Sequence, residues 1–552
     1  MNAATLCVVA LVAFALGYLV YARHLARRVF DLRDDEPVPA KTLEDGVDYV
    51  PTNKHVLFGH HYASIAGAAP IIGPAVAVVY GWLPATLWIV LGVVFMGAMH
   101  DFSTLVLSMR HEGTSVGNIS ARVVSPRTRT LFLLVIFALI LMVIAVFAKA
   151  IAGLFIAQPG TVLPINFEIL VALVMGWVCY KKKAKLFWPS LLALISLYAM
   201  VWVGVKVPLS LAGLVGPENQ ALAWVVFLLA YSFIASVLPV WTLLQPRDYI
   251  NSHQLFVGLF ALLAGIFIAR PALTAPAINP SPAGTPPLFP FLFVTIACGA
   301  ISGFHGLVSS GTTSKQIERA PDAVPVGYGA MLGEGLLALI ATLAVAAGLG
   351  DFAVHYDHMP DSKHAVAYFV KGAATFLEPL GIGPGPGQVV VAVLVISFAA
   401  TSLDTGVRIQ RFIIAELGRL RGITFLENRY VGGGIAVGLP LILYLFGQES
   451  TLWPLFGAAN QMLGGLSLIV VTVWLYRDGR PWAFAAIPMV IILTVAAVAL
   501  VHQAMASFAA GNLPIALVGT LLLVLELWIV VEGVAALRRS SELKAAPDAG
   551  TP

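Results

Sequence analysis

Gly59-His-His-Tyr-Ala-Ser-Ile-Ala-Gly-Ala-Ala-Pro-Ile-Ile-Gly-Pro74 lies in the middle of an apolar stretch, Val56 to Tyr80, that is long enough to cross a bilayer. Proline lacks an amide hydrogen and its ring clashes with the preceding turn, while glycine favours unwinding. Gly67, Pro70, Gly73 and Pro74 together therefore predict a helix broken at membrane depth. Irregular backbone at that depth is tolerated only where it is buried in protein or lines a polar cavity. In transporters the freed N–H and C=O groups hold the substrate and the coupling ion. The break is the first candidate for a binding site.

The 552 residues are 59% hydrophobic and 11% charged, with a mean hydropathy of +0.90. No soluble globular chain of this length has that composition, so the chain is a polytopic membrane protein embedded in a lipid bilayer. About fifteen apolar segments of spanning length are centred near residues 12, 68, 96, 143, 173, 196, 232, 262, 299, 338, 397, 438, 464, 492 and 525. Suppose that the N-terminus lies outside and each segment crosses once. The inward loops then hold 27 of the 32 Lys and Arg, among them Arg23 to Lys54, Arg110 to Arg129, Lys181 to Lys185, Arg247, Lys315, Arg319 and Arg408 to Arg429. Lys206, Arg270, Lys363 and Lys371 fall outside, and Lys149 is intramembrane. Orientation follows basic residues in short loops, which predicts an exported N-terminus and a cytoplasmic C-terminus. The net charge of +4 reflects the same rule and implies no nucleic-acid partner. Cys7, Cys179 and Cys298 all lie in apolar segments, so no disulfide framework is expected. The first span has its basic residues behind it and reads as an uncleaved anchor.

These features predict an all-α bundle in four parts. They are an N-terminal helix and linker (1–54), a core (55–430), accessory helices (431–537) and a cytoplasmic tail (538–552), disordered from Ser540. Two exported loops interrupt the core. Residues 271–287 are proline-rich with little reason to fold, and residues 351–387 contain an amphipathic stretch, Ala365 to Leu377, suited to the membrane surface. Asp351, His355, Asp357, His358, Asp361 and His364 crowd that second loop, but their spacing matches no tight metal signature. The seventh span carries Tyr231-Ser232-Phe-Ile-Ala-Ser236-Val-Leu-Pro239, the second candidate break. It lies five helices after the first, and an odd interval inverts direction. Spans two to six and seven to eleven are thus expected to be inverted repeats, each opening with a broken helix.

Ionisable groups inside a bilayer are expensive and mark functional sites by default. The candidates are His60 and His61, His100 and Asp101, Lys149, His305, Glu334, Asp404 and Glu526. Asp404 stands four residues before Arg408, the spacing of a helical ion pair. Asp101 has only His100 beside it and suits proton carriage or ion pairing. Ser309, Ser310, Thr312 and Thr313 supply hard oxygen ligands of the kind that hold sodium or a carboxylate, although such residues also cap helix ends. Gly306-x-x-x-x-Gly311-Thr-Thr313 approaches a phosphate-binding loop, but it lacks the lysine and follows an apolar helix, which excludes ATP binding. No His-Glu-x-x-His run is present, and His55, His60 and His61 lack the further histidines of a membrane di-iron site. No cofactor or metal is expected, and the protein is not expected to be an enzyme.

With those residues in place, the chain resembles the carbon starvation protein A family. The matching stretches are Asp48 to Lys54, Phe58 to Pro70, Asp101-Phe102, Ser302 to Thr313, Gly327 to Leu332 with Glu334, Leu403 to Arg408, and Leu452 to Gly457 with Asn460 to Met462. The chain looks like a shorter member without the additional N-terminal spans of some relatives. The resemblance implies an inner-membrane uptake carrier of the amino acid, polyamine and organocation superfamily with a LeuT-like core. Members are associated with uptake of peptides or of pyruvate during nutrient limitation, in some cases driven by protons, and the family does not settle the substrate. Carried over, the substrate region is His60 to Pro70, including His61, Ser64, Gly67 and Ala68. Tyr231, Ser232 and Ser236 face it, His305 is nearby, and a cation site lies near Ser309, Ser310, Thr312 and Thr313. Pyruvate needs one carboxylate anchor, which amides after Gly67 supply, whereas a peptide also needs volume and an acid such as Asp101 or Glu334. The expected activity is proton-coupled import of pyruvate or a similar monocarboxylate, with Asp101, Glu334 and Asp404 as ion-coupling candidates. Peptide uptake and sodium coupling are the alternatives, and a nutrient sensor or embedded metalloenzyme is more remote.

Overall fold

The computed structural model describes residues 2–545 apart from 47, 183–186, 240–241, 283, 357–359, 361 and 446–451. Among the described residues every regular element is helical, and β-pairing is confined to two isolated bridges. Twelve helices are long and apolar enough to cross a membrane: α1 (Ala3–Val29), α4 (Trp82–Met109), α5 (Pro126–Ala157), α6 (Pro159–Cys179), α7 (Trp188–Lys206), α8 (Gln220–Val237), α9 (Leu244–Ala269), α12 (Ala320–Gly348), α14 (Pro384–Arg421), α16 (Leu452–Arg477), α17 (Ala483–Ala509) and α18 (Leu513–Glu542). A thirteenth is the pair α2 (Lys54–Ile65) and α3 (Ala69–Tyr80), bent by 52°. The expected count of about fifteen is not reached on this criterion. Its remaining segments are the interrupted pair α10 (Leu288–Thr295) and α11 (Gly303–Gly311), and the 17-residue α15 (Arg429–Leu445).

The break between α2 and α3 falls where the prolines and glycines place it. Ala66 leaves helical geometry (φ −74°, ψ 74°) and the Gly67 amide turns back onto the Ile65 carbonyl at 2.8 Å. Pro70 sits in the first turn of α3, where its missing N–H removes no helical bond.

The second break is in the ninth span, not the seventh. Helix α8 runs unbroken through Tyr231 and Ser232 to Val237. Pro239 lies beyond its last turn and therefore disturbs nothing. In the ninth span Ile301 and Ser302 are extended, between the turn Ala297–Ala300 and α11. Asn460 on α16 satisfies the gap. Its Oδ1 accepts from the Phe304 amide (3.1 Å), and its Nδ2 donates to Ser302 Oγ (3.0 Å) and Cys298 Sγ (2.9 Å). Gly303 permits this approach, because a Cβ there would come within 2.6 Å of the Asn460 carbonyl oxygen.

Packing around the two breaks is reciprocal. Half-helix α3 lies on α12 and half-helix α11 on α4. In the same way α9 packs on α2 and α14, while α16 packs on α11 and α5. The long helices α5 and α14 cross each other, and α8 meets α15. The hairpin α6–α7 stands outside this pattern, against α9 and α14.

The loops gather at two ends. Arg110 pairs with Glu36, Arg319 with Asp34 and Arg129 with Glu416, and Thr52 bridges to Ile317, which collects the basic loops at one end. At the opposite end the proline-rich loop is stitched down, contrary to the expectation from its composition. Pro271, Pro276 and Ala277 carbonyls accept from Ala3, Trp82 and Leu83, and the Asn279 amide donates to Tyr80. The amphipathic stretch is also reassigned: as α13 (Ser362–Thr375) it buries Ala365, Val366, Phe369, Val370 and Ala373 against α3, α12 and α14, where protein burial takes the place of lipid contact. The last helix continues to Ala545, past the expected start of the disordered tail at Ser540.

Candidate functional site

Helices α4, α11 and α12 bring His100, Asp101, His305 and Glu334 into one buried chain. The carboxylate of Asp101 accepts from His100 Nδ1 at 2.8 Å and from His305 Nδ1 at 3.0 Å. The other face of His305 presents Nε2 to Glu334 Oε2 at 3.1 Å. His100, Asp101, His305 and Glu334 are all at most 1% exposed. Gly306 makes room, since a Cβ there would stand 3.0 Å from the His100 ring. With Asp101 ionised, both imidazoles carry a proton on Nδ1. A further proton on either His305 Nε2 or Glu334 would make the contact an imidazolium between two carboxylates or an imidazole beside a neutral glutamic acid. Among the described residues both oxygens of Glu334 and His100 Nε2 are buried without a hydrogen bond, so the Oε2 approach to His305 Nε2 is an ion-pair contact. On α2, His61 Nδ1 lies 2.8 Å from Thr313 Oγ1, just past the end of α11, and the Tyr62 hydroxyl donates to the Gly333 carbonyl on α12.

A second buried network lies on the other side of α2. Asp404 on α14 accepts from Ser232 Oγ (2.8 Å), Tyr231 Oη (3.0 Å) and the guanidinium of Arg247. Arg247 also reaches Glu168 on α6 at 3.3 Å, and Glu168 accepts from Ser397 Oγ at 2.6 Å. Asn251 donates to Thr401 Oγ1, which extends the polar seam along α14. This corrects two expectations. Asp404 pairs with Arg247 and not with Arg408, which donates to the Ala235 and Leu238 carbonyls at the end of α8. Arg247, counted with the inward loops, is only 2% exposed. The sequence reading missed Glu168, Arg247 and Asp248. Glu168 stands in an apolar segment and meets the same criterion as the residues that were chosen.

The remaining candidates fall into place unevenly. Ser64 Oγ bonds within its own helix to the His60 carbonyl, and Ala68 is buried as the cap of α3. A Cβ on Gly67 would meet Ser402 Oγ at 2.7 Å, so this glycine packs against α14 and faces no open space. Tyr231 and Ser232 face Asp404, and Ser236 bonds to the Phe233 carbonyl beside Gly433 of α15. The four hydroxyls near α11 diverge. Ser310 bonds to the Gly306 carbonyl and the Val116 amide, Thr313 meets His61, Thr312 is exposed, and Ser309 Oγ is buried without a partner. Glu526 is buried with Oε2 unpartnered. In the His and Asp cluster of residues 351–364, His355 Nε2 lies 3.1 Å from Lys371 Nζ, while Asp357, His358 and Asp361 lie outside the described residues. Among the described residues no group of three or more His, Cys, Asp and Glu is arranged to hold a metal ion. A cavity of about 290 Å3 lies among Gln158, His355, Tyr368, Lys371 and Gln388, and one of about 170 Å3 lies among Trp202, Val257 and Leu394; neither is at the break.

The sequence matches the family described as carbon starvation protein CstA over residues 2–356 and 352–499. A peptide transporter CstA from Mycobacterium tuberculosis is 34% identical, covering 88% of this chain and 73% of its own. The Bacillus subtilis peptide transporter CstA is 32% identical over 85% of both chains. The pyruvate/proton symporter BtsT of Escherichia coli is 31% identical, covering 85% of this chain and 76% of its own. Among solved structures, a manganese transporter mutant of Eremococcus coleocola aligns with a TM-score of 0.46 at 14% identity, over 90% of this chain and 99% of that one. Matched along nearly its whole length, this multi-pass membrane protein belongs to the carbon starvation protein CstA family.

Proposed function

We propose that the protein is a secondary transporter of the bacterial inner membrane that imports a small monocarboxylate such as pyruvate together with a proton. The observation that carries this reading is the His100–Asp101–His305–Glu334 chain, buried between α4, α11 and α12 beside both interrupted spans. A carboxylate–imidazole–carboxylate chain out of contact with water holds a proton at low energetic cost only while its surroundings stay closed. Opening it to either side lets that proton exchange. In this reading the substrate carboxylate binds at the start of α3 once the packed break opens, since the half-helix dipole and its first amides favour an anion.

The reciprocal packing supports a revised repeat. The sets α2–α3, α4, α5, α8 and α9, and α10–α11, α12, α14, α15 and α16, are read as inverted repeats, with α6–α7 inserted in the first. The two broken spans are then seven crossings apart, an odd interval that preserves the inversion. Rocking of one set against the other opens the breaks alternately to each side. The basic loops mark the cytoplasmic end.

Short peptides are the second reading, favoured by the names of most of the relatives. A peptide needs an acid for its ammonium group, and both candidate acids, Asp101 and Glu334, are turned onto His305. The closely packed break also suits the smaller ligand. Uptake of labelled pyruvate and a labelled dipeptide into the same proteoliposomes tests the choice. Pyruvate is expected to accumulate under an inward proton gradient without competition from the dipeptide. Accumulation of the dipeptide alone would overturn the substrate assignment.

A further inference from the structure

We infer that the network around Arg247 is a second proton-binding site, entered through His60 and Asp248, so that each cycle moves two protons with one substrate anion. This rests on the proton-coupled reading above. Arg247 and Asp248 are consecutive on α9 and so point about 100° apart. Arg247 turns to Glu168, Tyr231 and Asp404, while Asp248 turns to α2, where His60 Nδ1 lies 3.7 Å from its Oδ2.

Charge balance decides the case. Three buried carboxylates, Glu168, Asp404 and Asp248, lie near two guanidiniums, those of Arg247 and Arg408, which leaves one negative charge over. The neighbouring cations do not make up the deficit. Arg408 keeps its charge while its Nη2 donates to two backbone carbonyls and offsets one carboxylate only, whereas Arg411 lies against Gly432 and Phe412, and His253 bonds to the Tyr249 carbonyl. Uncompensated charge in a buried site is expensive enough that the group takes up a proton instead.

The hydrogen bonds indicate which carboxylate does so. Asp404 accepts from three donors, and Glu168 from Ser397 and Arg247, all of which favour ionised oxygens. Among the described residues, Asp248, 6% exposed, has no partner for its Oδ1 and the long approach to His60 for its Oδ2. His60, 22% exposed, is the more accessible member of the pair. Its sequence neighbour His61 faces Thr313 beside the first network, so half-helix α2 touches both proton sites. A tilt of α2 during alternating access changes both together.

Two protons with one monoanion carry one net positive charge inward, which makes uptake sensitive to membrane potential. Reversal-potential measurements on full-length protein in proteoliposomes, with labelled pyruvate as probe, read the ratio directly. The wild type is expected to move two protons per pyruvate, whereas Asp248→Asn should move one and lose its response to a potassium–valinomycin potential. His60→Gln should behave as Asp248→Asn does, and its partly exposed position makes it the variant of choice if Asp248→Asn fails to fold. A wild-type ratio of one, or a ratio of two that persists in both variants, would overturn the second site and leave proton coupling intact. A wild type that moves no protons would overturn both.

Discussion

Replacing Gly67 with alanine tests the break at its narrowest point. The added methyl would stand 2.7 Å from Ser402 Oγ and 3.5 Å from Cε2 of Phe147. The second distance is an ordinary contact, and the first is too short to persist. Overpacking of this size costs about 1–3 kcal/mol, and Ser402 can relieve part of it by rotating one terminal atom. If the strain falls on the transport-competent state and not on the other access state, the low end, about 1 kcal/mol, depletes that state roughly fivefold, so Gly67→Ala should slow uptake by about that factor. Adding Ser402→Ala removes the colliding oxygen and should restore the rate to nearly that of the wild type. Gly67→Leu meets the Phe147 ring as well; its cost of about 3 kcal/mol implies a loss of roughly 150-fold, without rescue by Ser402→Ala. Initial uptake rates at matched protein density would be read alongside melting temperature. The packing argument fails if Gly67→Ala transports normally, or if it is as inactive as Gly67→Leu and Ser402→Ala does not restore it.

Asn460→Ala should lower the melting temperature, because it leaves the buried Phe304 amide without its acceptor, a loss of about 1–3 kcal/mol. An unchanged melting curve would mean that the second break is held by something else. Arg247→Met strands Glu168 and Asp404 and should destabilise the protein by about 3–5 kcal/mol, with partial recovery when Asp404→Asn is added. A double mutant no more stable than the single one would contradict the ion-pair assignment.

The first break was legible because its cause is local: Gly67, Pro70, Gly73 and Pro74 act on their own backbone. The second was not. Ile301 and Ser302 are extended because Asn460, far along the chain, supplies the hydrogen bonds that the helix gives up, and no local pattern announces such a partner. Proline near the end of α8 imitated a break, yet Pro239 lies past the final turn and Tyr231 and Ser232 spend their hydroxyls on Asp404. Cost arguments found Asp101, His305 and Glu334, since a buried charge is conspicuous in an apolar segment. Arg247 and Asp248 escaped because Pro246 and the preceding proline-bearing stretch read as a loop, although the helix begins at Leu244. The proline-rich loop was misjudged for a related reason. Its order comes from backbone bonds to α1, α4 and Tyr80, which composition does not encode.

The central claim is that the Asp101–His305–Glu334 chain couples a proton gradient to uptake. The most direct test is accumulation of labelled pyruvate in sodium-free proteoliposomes under an imposed inward pH gradient, with wild type and Glu334→Gln compared. The wild type should concentrate pyruvate steeply, and Glu334→Gln, left with the proton taken up at Asp248, should reach a markedly lower gradient while still exchanging internal for external pyruvate. Accumulation that requires sodium and ignores the pH gradient, or that Glu334→Gln performs as well as the wild type, would contradict the account.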